Sequence, residues 1–138
     1  MTPNQIDLVQ RSWNQVAPMG EAAVLMFYER LFFVDPSLRI MFRGDMKRQS
    51  RKVLEMMSFT VDGLNRVHEI VPVVQSLGRR HAEYGVRDEH YGIVGAALLW
   101  TLAQGLGSAF TPAVREAWTA AYALLADTMK DAAAKVAA

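Results

Sequence analysis

The chain has 138 residues, 51% of them apolar, with 15 lysines and arginines against 14 acids, so one core of its own is affordable while no field of one sign exists to hold nucleic acid or an anionic membrane. Cysteine is absent, which removes disulfides, thiolate zinc sites, iron–sulfur clusters, cysteine nucleophiles and covalent cofactor attachment through C-x-x-C-H. Any metal must rely on His, Met, Tyr or carboxylates, and the only histidines are His68, His81 and His90.

Taken in chain order, Thr2 and Gln5 have the spacing of a capping box with Pro3 at the first helical position, and Ile6, Val9, Trp13 and Val16 continue the helix to about Pro18. Val24, Phe27, Tyr28, Leu31 and Phe32 form the apolar stripe of a second helix, which stops where Asp35-Pro36 disfavours helical geometry. Ser37 to Phe42 predicts a tight helical turn, and Gly44 a corner. From Lys47 to about Asn65, residues Gln49, Val53, Met56, Met57, Thr60, Val61 and Leu64 share one face, with a lone polar Gln at its start.

Val71 to Tyr84 is helical in pattern despite Pro72, with His81 in its last turn and Gly85 closing it. Asp88 is the expected cap of a helix carrying Tyr91, Val94, Leu98, Leu102 and Leu106. Thr111-Pro112 opens a last one with Val114, Trp118, Tyr122, Leu125 and Met129, whose alanine-rich end is expected to fray. The most apolar stretch, Ile93 to Ala103, is about half of the roughly 20 residues a spanning helix needs and reads as buried. No basic segment followed by an apolar run opens the chain, so a cytoplasmic location is expected. Without strand alternation, repeats or a linker, the expectation is one all-α domain over residues 1–138.

The order Phe27-Tyr28, Pro36 with Phe42 six residues on, Gln49, Arg80-His81, Gly85-Val86 and His90-Tyr91, with His81 32 residues after Gln49, resembles bacterial single-domain globins and the globin domain of flavohaemoglobins over nearly the whole chain. Read singly, His81 is a helix-end histidine, Tyr28 a core tyrosine and Gln49 a surface glutamine. The ordered set carries the resemblance. It implies a globin fold, six to eight crossed helices around a pocket for non-covalent haem b, with His81 as the iron ligand. The resemblance further implies that Tyr28 and Gln49 hydrogen-bond bound gas, that Phe42 stacks on the macrocycle, and that Phe27, Met41, Val53, Met57, Val86, Tyr91, Val94 and Tyr122 line the pocket. Arg80 would pair with a propionate or remain solvated. His68 and His90 are expected at the surface.

The implied function is reversible binding of dioxygen, with nitric oxide and carbon monoxide as further ligands. A phenol donor to an acceptor of partial superoxide character contributes roughly 1.5–3 kcal/mol, while carbon monoxide gains less. The alternative is nitric oxide dioxygenation. That cycle needs an electron donor, and because the sequence contains no G-x-G-x-x-G the donor is expected to be a separate reductase. Two departures from the resemblance stand out. Ala133 occupies the position where flavohaemoglobins place a glutamate near the proximal imidazole, and the stretch from Phe42 to Gln49 is shorter than in most of them.

Overall fold

Helix-forming segments separated by short polar corners leave the chain little choice but to pack helix on helix. The computed structural model describes residues 1–42 and 44–137; Arg43, at the expected corner, and residue 138 of the expected domain lie outside the described residues. Among the described residues six α-helices follow one another: α1 (Pro3–Val16), α2 (Glu21–Val34), α3 (Met46–Asp62), α4 (Val67–Glu83), α5 (Asp88–Leu106) and α6 (Pro112–Ala137). Short 3-10 segments join several of them, the longest being Pro36–Met41, and no strand occurs among the described residues. The all-α expectation holds.

The start signals act as their chemistry requires. Thr2 Oγ1 accepts from the Gln5 amide at 3.1 Å while Gln5 Oε1 accepts from the Thr2 amide at 3.0 Å. The Asp35 carboxylate accepts from Ser37 N at 3.1 Å to begin the Pro36 turn, and Asp45 caps α3 through Lys47 N at 2.9 Å.

Four local expectations need correction. Helix α4 begins at Val67, four residues before the apolar pattern starts, so Pro72 lies inside it; the carbonyl this proline leaves unbonded belongs to exposed His68, where water can serve it. Asp88 is the first residue of α5 rather than its cap. That capping is done by His90, an expected bystander, whose Nδ1 accepts from the Arg87 amide at 2.9 Å. The alanine-rich end of α6 stays helical to Ala137, because alanine has the highest helix propensity and Ala132 is buried. Finally, the apolar run is longer than Ile93–Ala103 suggests: Asp88–Ala109 is by length and composition long enough to cross a membrane, although here it packs on α2 and α6.

The interior is centred on Trp13 and Trp118, whose rings lie 6.1 Å apart, with Val9, Val16, Leu64 and Leu102 around them. Both indole N–H groups donate to serines brought in by the fold, Trp13 to Ser58 Oγ at 3.1 Å and Trp118 to Ser12 Oγ at 2.8 Å, so neither polar atom is buried without a partner.

How the helices are fastened decides where a site can form. Helix α4 packs chiefly on α6, α2 on α5, and α3 on α2 and α1. Helices α3 and α4, successive in the chain, scarcely touch. On α4, Gly78 lets the backbone of α6 approach so closely that a Cβ would overlap Met129 Cα at 2.6 Å and also the Met129 carbonyl oxygen. We therefore expect Gly78→Ala to destabilise the protein by about 1–3 kcal/mol, read as a lowered urea midpoint with unchanged slope; an unaltered midpoint would show that α4 can shift freely on α6.

Candidate functional site

The space that α3 and α4 do not fill is bordered by two separate apolar clusters. One gathers around Tyr28 of α2: Phe27, Met41, Phe42, Val53, Ile93 and Val94 pack on it or beside it. The other joins Val74 and Leu77 of α4 to Val86, Tyr91, Tyr122 and Met129. Many of these apolar residues, Phe42, Val53, Val86 and Val94 among them, are only half-buried, which is what side chains facing a crevice rather than a closed core show. Between the two helices, Met56 of α3 and Val73, Leu77 and Arg80 of α4 line a cavity of about 250 Å³.

Tyr28 is held by aromatic rings on several sides. Phe42 meets it edge-on at 4.9 Å, Phe32 stacks at 5.9 Å and Phe27 lies tilted at 5.3 Å. Such pairs restrict the phenol to one orientation, because ring quadrupoles favour tilted and offset contacts. Burial pushes its pKa up, and the nearby Gln49 side chain pulls it partly back. The phenol therefore keeps its proton at neutral pH. Gln49 itself is exposed, one turn into α3 and next to fully buried Ser50.

His81 stands in the last turn of α4, half-buried. Its Nδ1 lies 2.8 Å from the Leu77 carbonyl oxygen. A carbonyl can only accept, so Nδ1 carries the proton and Nε2 keeps its lone pair free for a metal. Burial lowers the imidazole pKa, partly opposed by the Leu77 hydrogen bond, and the ring is therefore neutral at pH 7. Gly85, at φ +91°, turns the chain after the helix, and Val86 N returns to the His81 carbonyl at 3.0 Å.

The remaining expected residues divide between the two walls. Tyr122 donates to the Tyr91 carbonyl at 2.6 Å, and both phenols are pushed up, Tyr122 by burial and then by Tyr91, Tyr91 by burial and then by the Asp88 carboxylate. The Lys130 ammonium sits over the Tyr91 ring at 5.8 Å. Arg80 is exposed at the mouth of the α3–α4 cavity, with Ser76 Oγ 3.5 Å away. Met57 is the one that does not join, since it packs on the Trp13–Trp118 interior instead. Sequence reasoning missed Leu77, Met56 and Phe32. Leu77 was within reach, because a helical histidine that must orient its ring finds the carbonyl four residues back; Met56 and Phe32 read as ordinary stripe residues.

The depressed His81 pKa has a consequence for stability. Between its folded value and the ordinary 6.5 the unfolded chain binds more protons, so stability is complete above about 6.5 and falls as pH drops through that window. Urea unfolding of the protein should show this decline, and His81→Gln should flatten it; an unflattened curve would assign the pH dependence to other groups.

Comparison with known proteins adds an independent line. A family model described as Globin matches residues 25–129. The chain is 31% identical over 134 residues to a Flavohemoprotein of Vibrio cholerae and 31% identical over 125 residues to a Flavohemoprotein of Bacillus subtilis, covering 95% and 88% of this chain. It spans only about a third of those curated relatives, 34% and 31% of their lengths. In fold it is similar to a bacterial globin from Campylobacter jejuni, with a TM-score of 0.85, 24% identity and 98% of both chains covered.

Proposed function

Because the chain belongs to the globin family, whose members bind gases through haem, we propose that it holds haem b in the crevice between α3 and α4 and binds dioxygen reversibly, with nitric oxide and carbon monoxide as further ligands. One observation carries this reading: His81 has its Nδ1 already committed at 2.8 Å to the carbonyl of Leu77, a residue that lines the α3–α4 cavity, and so keeps Nε2 as a ready metal ligand.

The residues present fit the group. His81 would hold the iron, Phe42, Val53 and Val94 would border one face, Leu77, Val86 and Tyr91 the other, and Arg80 would pair with a propionate at the mouth. When bound, haem would supply an iron able to take up a diatomic gas, and His81 would be the side chain that holds it. Tyr28 contributes an O–H donor whose orientation is set in advance by Phe27, Phe32 and Phe42, so little ordering is needed when a ligand arrives. A hydrogen bond to a ligand that has gained negative charge is worth about 1.5–3 kcal/mol, or roughly tenfold to a hundredfold in retention. Gln49, exposed beside the phenol, supplies a second donor that can swing aside. The apolar walls exclude water, which favours the neutral forms of both His81 and Tyr28.

Nitric oxide dioxygenation with a separate reductase is the second reading, favoured by the flavohemoprotein relatives. The proximal side argues for gas binding instead. His81 donates to a backbone carbonyl, and position 133 is alanine, so no carboxylate there makes the imidazole more electron-donating. Lys130, over the Tyr91 ring, brings a positive charge to that side.

Two substitutions test the reading. Added hemin should give the apoprotein an intense Soret band that His81→Ala removes or displaces; a wild type that stays colourless overturns the cofactor. Tyr28→Phe should speed dioxygen dissociation by about tenfold or more, and an unchanged rate in stopped-flow would mean that the phenol does not face the gas. Sustained nitric oxide consumption with NADH and a reductase would instead favour the enzyme.

A further inference from the structure

The edge of the α3–α4 cavity carries a charge that the chain as a whole does not. Between Pro36 and Lys52 stand six of the 15 basic residues, Arg39, Arg43, Lys47, Arg48, Arg51 and Lys52, against one acid, Asp45. The net charge of the whole chain is only +1, so the rest of it is net acidic. Lys47, Arg48, Arg51 and Lys52 are all exposed in the first two turns of α3. Lys52 lies three residues after Gln49 and four before Met56, a residue of the cavity wall, so helical spacing puts it on the cavity side of α3. Exposed Arg80 of α4 lines the same cavity.

Local energetics oppose this arrangement. Cations at the start of a helix face the positive end of its dipole, and no acid stands in the first turn of α3. Lys47 with Arg51 and Arg48 with Lys52 are like charges four residues apart, which repel. The fold does little to neutralise them. Arg51 pairs with Glu21 at 3.1 Å, and the Asp45 carboxylate is engaged in capping at Lys47 N, 2.9 Å away. Among the described residues no ion pair involves Lys47, Arg48, Lys52 or Arg80, nor Glu55 on the following turn. A sequence that breaks local rules with no gain inside the fold places the gain outside it.

We infer that this cationic rim docks the acidic face of a separate electron-donor protein, an inference that rests on the haem reading above. The transfer it serves is balanced: the donor's reduced one-electron centre is oxidised, ferric iron in the crevice becomes ferrous, and no bond or proton moves. Reversible dioxygen binding needs ferrous iron, and the sequence contains no G-x-G-x-x-G with which to draw electrons from a nicotinamide. Long-range attraction suits such a partner, because it speeds encounter without demanding a tight complex. A bilayer fits the rim less well. Every exposed side chain from Lys47 to Glu55 is polar, so the cations have no apolar neighbour to insert beside them.

Stopped-flow reduction of the ferric, hemin-loaded chain by a reduced plant-type ferredoxin, a small acidic one-electron donor, tests the docking. The second-order rate is expected to fall roughly tenfold or more from low to physiological salt. It should fall by a similar factor in Arg48→Glu with Lys52→Glu, while the Soret band and helical circular dichroism stay those of the wild type. Arg11→Glu with Arg115→Glu makes the same change of net charge on α1 and α6 and should leave the rate unaltered. Calorimetric titration of the hemin-free chain with oxidised ferredoxin separates two failures. A chain that gives no Soret band yet binds ferredoxin through Arg48 and Lys52 would fail the cofactor reading and support the docking surface. A rate indifferent to salt and to both double variants overturns the inference, as does an equal loss in the two. Co-flotation of the wild type with phosphatidylglycerol vesicles, abolished by Arg48→Glu with Lys52→Glu while the ferredoxin rate stays unchanged, would also overturn it by assigning the rim to a membrane surface.

Discussion

Two adjacent helices leave a crevice between them only when each is fastened elsewhere, and that constraint governs this molecule. Helix α4 is drawn onto α6 by the close approach at Gly78 and Met129. On the other side α3 is tied to α1 through Trp13 and Ser58 and through Gln10, whose amide reaches the Val61 carbonyl at 3.0 Å, and to α2 through the 3.1 Å pair of Arg51 with Glu21. The exposed ion pair contributes little. The buried apolar interface around the two tryptophans carries most of the stability, which lets the crevice walls stay half-exposed without loss of the fold.

Two polar groups, His81 and Tyr28, stand among apolar side chains, and each is oriented by its neighbours. His81 is turned by the carbonyl one helical turn back, and Tyr28 by rings at positions 27, 32 and 42. Burial acts on both in the same sense: it removes the charged form, lowering the imidazole pKa and raising the phenol pKa. The result is two groups uncharged at neutral pH, an imidazole with a free lone pair and a phenol that keeps its proton to donate.

Helix α5 shows how one element can serve two surfaces. Val94 and Ala97 face the Tyr28 cluster, while Gly92 and Ala96 line an outer cleft between α5 and α6. Gly95 lies between the two and allows the Tyr122 ring to press against the helix; a Cβ there would overlap the ring at 2.6 Å. Tyr122 in turn bonds the Tyr91 carbonyl, so the outer cleft and the Tyr91 cluster share a side chain.

Much of this was legible from residue order. Period and punctuation locate six helices, and the capping box at Thr2 and the closing Gly85 behave as local chemistry demands, because both depend on residues within one turn. The order of Tyr28, Gln49 and His81 likewise carries the likeness to globins, the family to which the chain belongs. What sequence alone could not decide is every matter of contact between distant segments. Pro72 falls inside α4 because tertiary packing outweighs one lost hydrogen bond, His90 caps α5 because the chain turns at Arg87, and Met57 joins the interior because of the way α3 rotates against α1. The gap between α3 and α4 and the uncovered side of α5 are of the same kind: both are surfaces left over after all six helices have chosen partners, and a periodic pattern records only that a helix has an apolar face, never which neighbour will cover it.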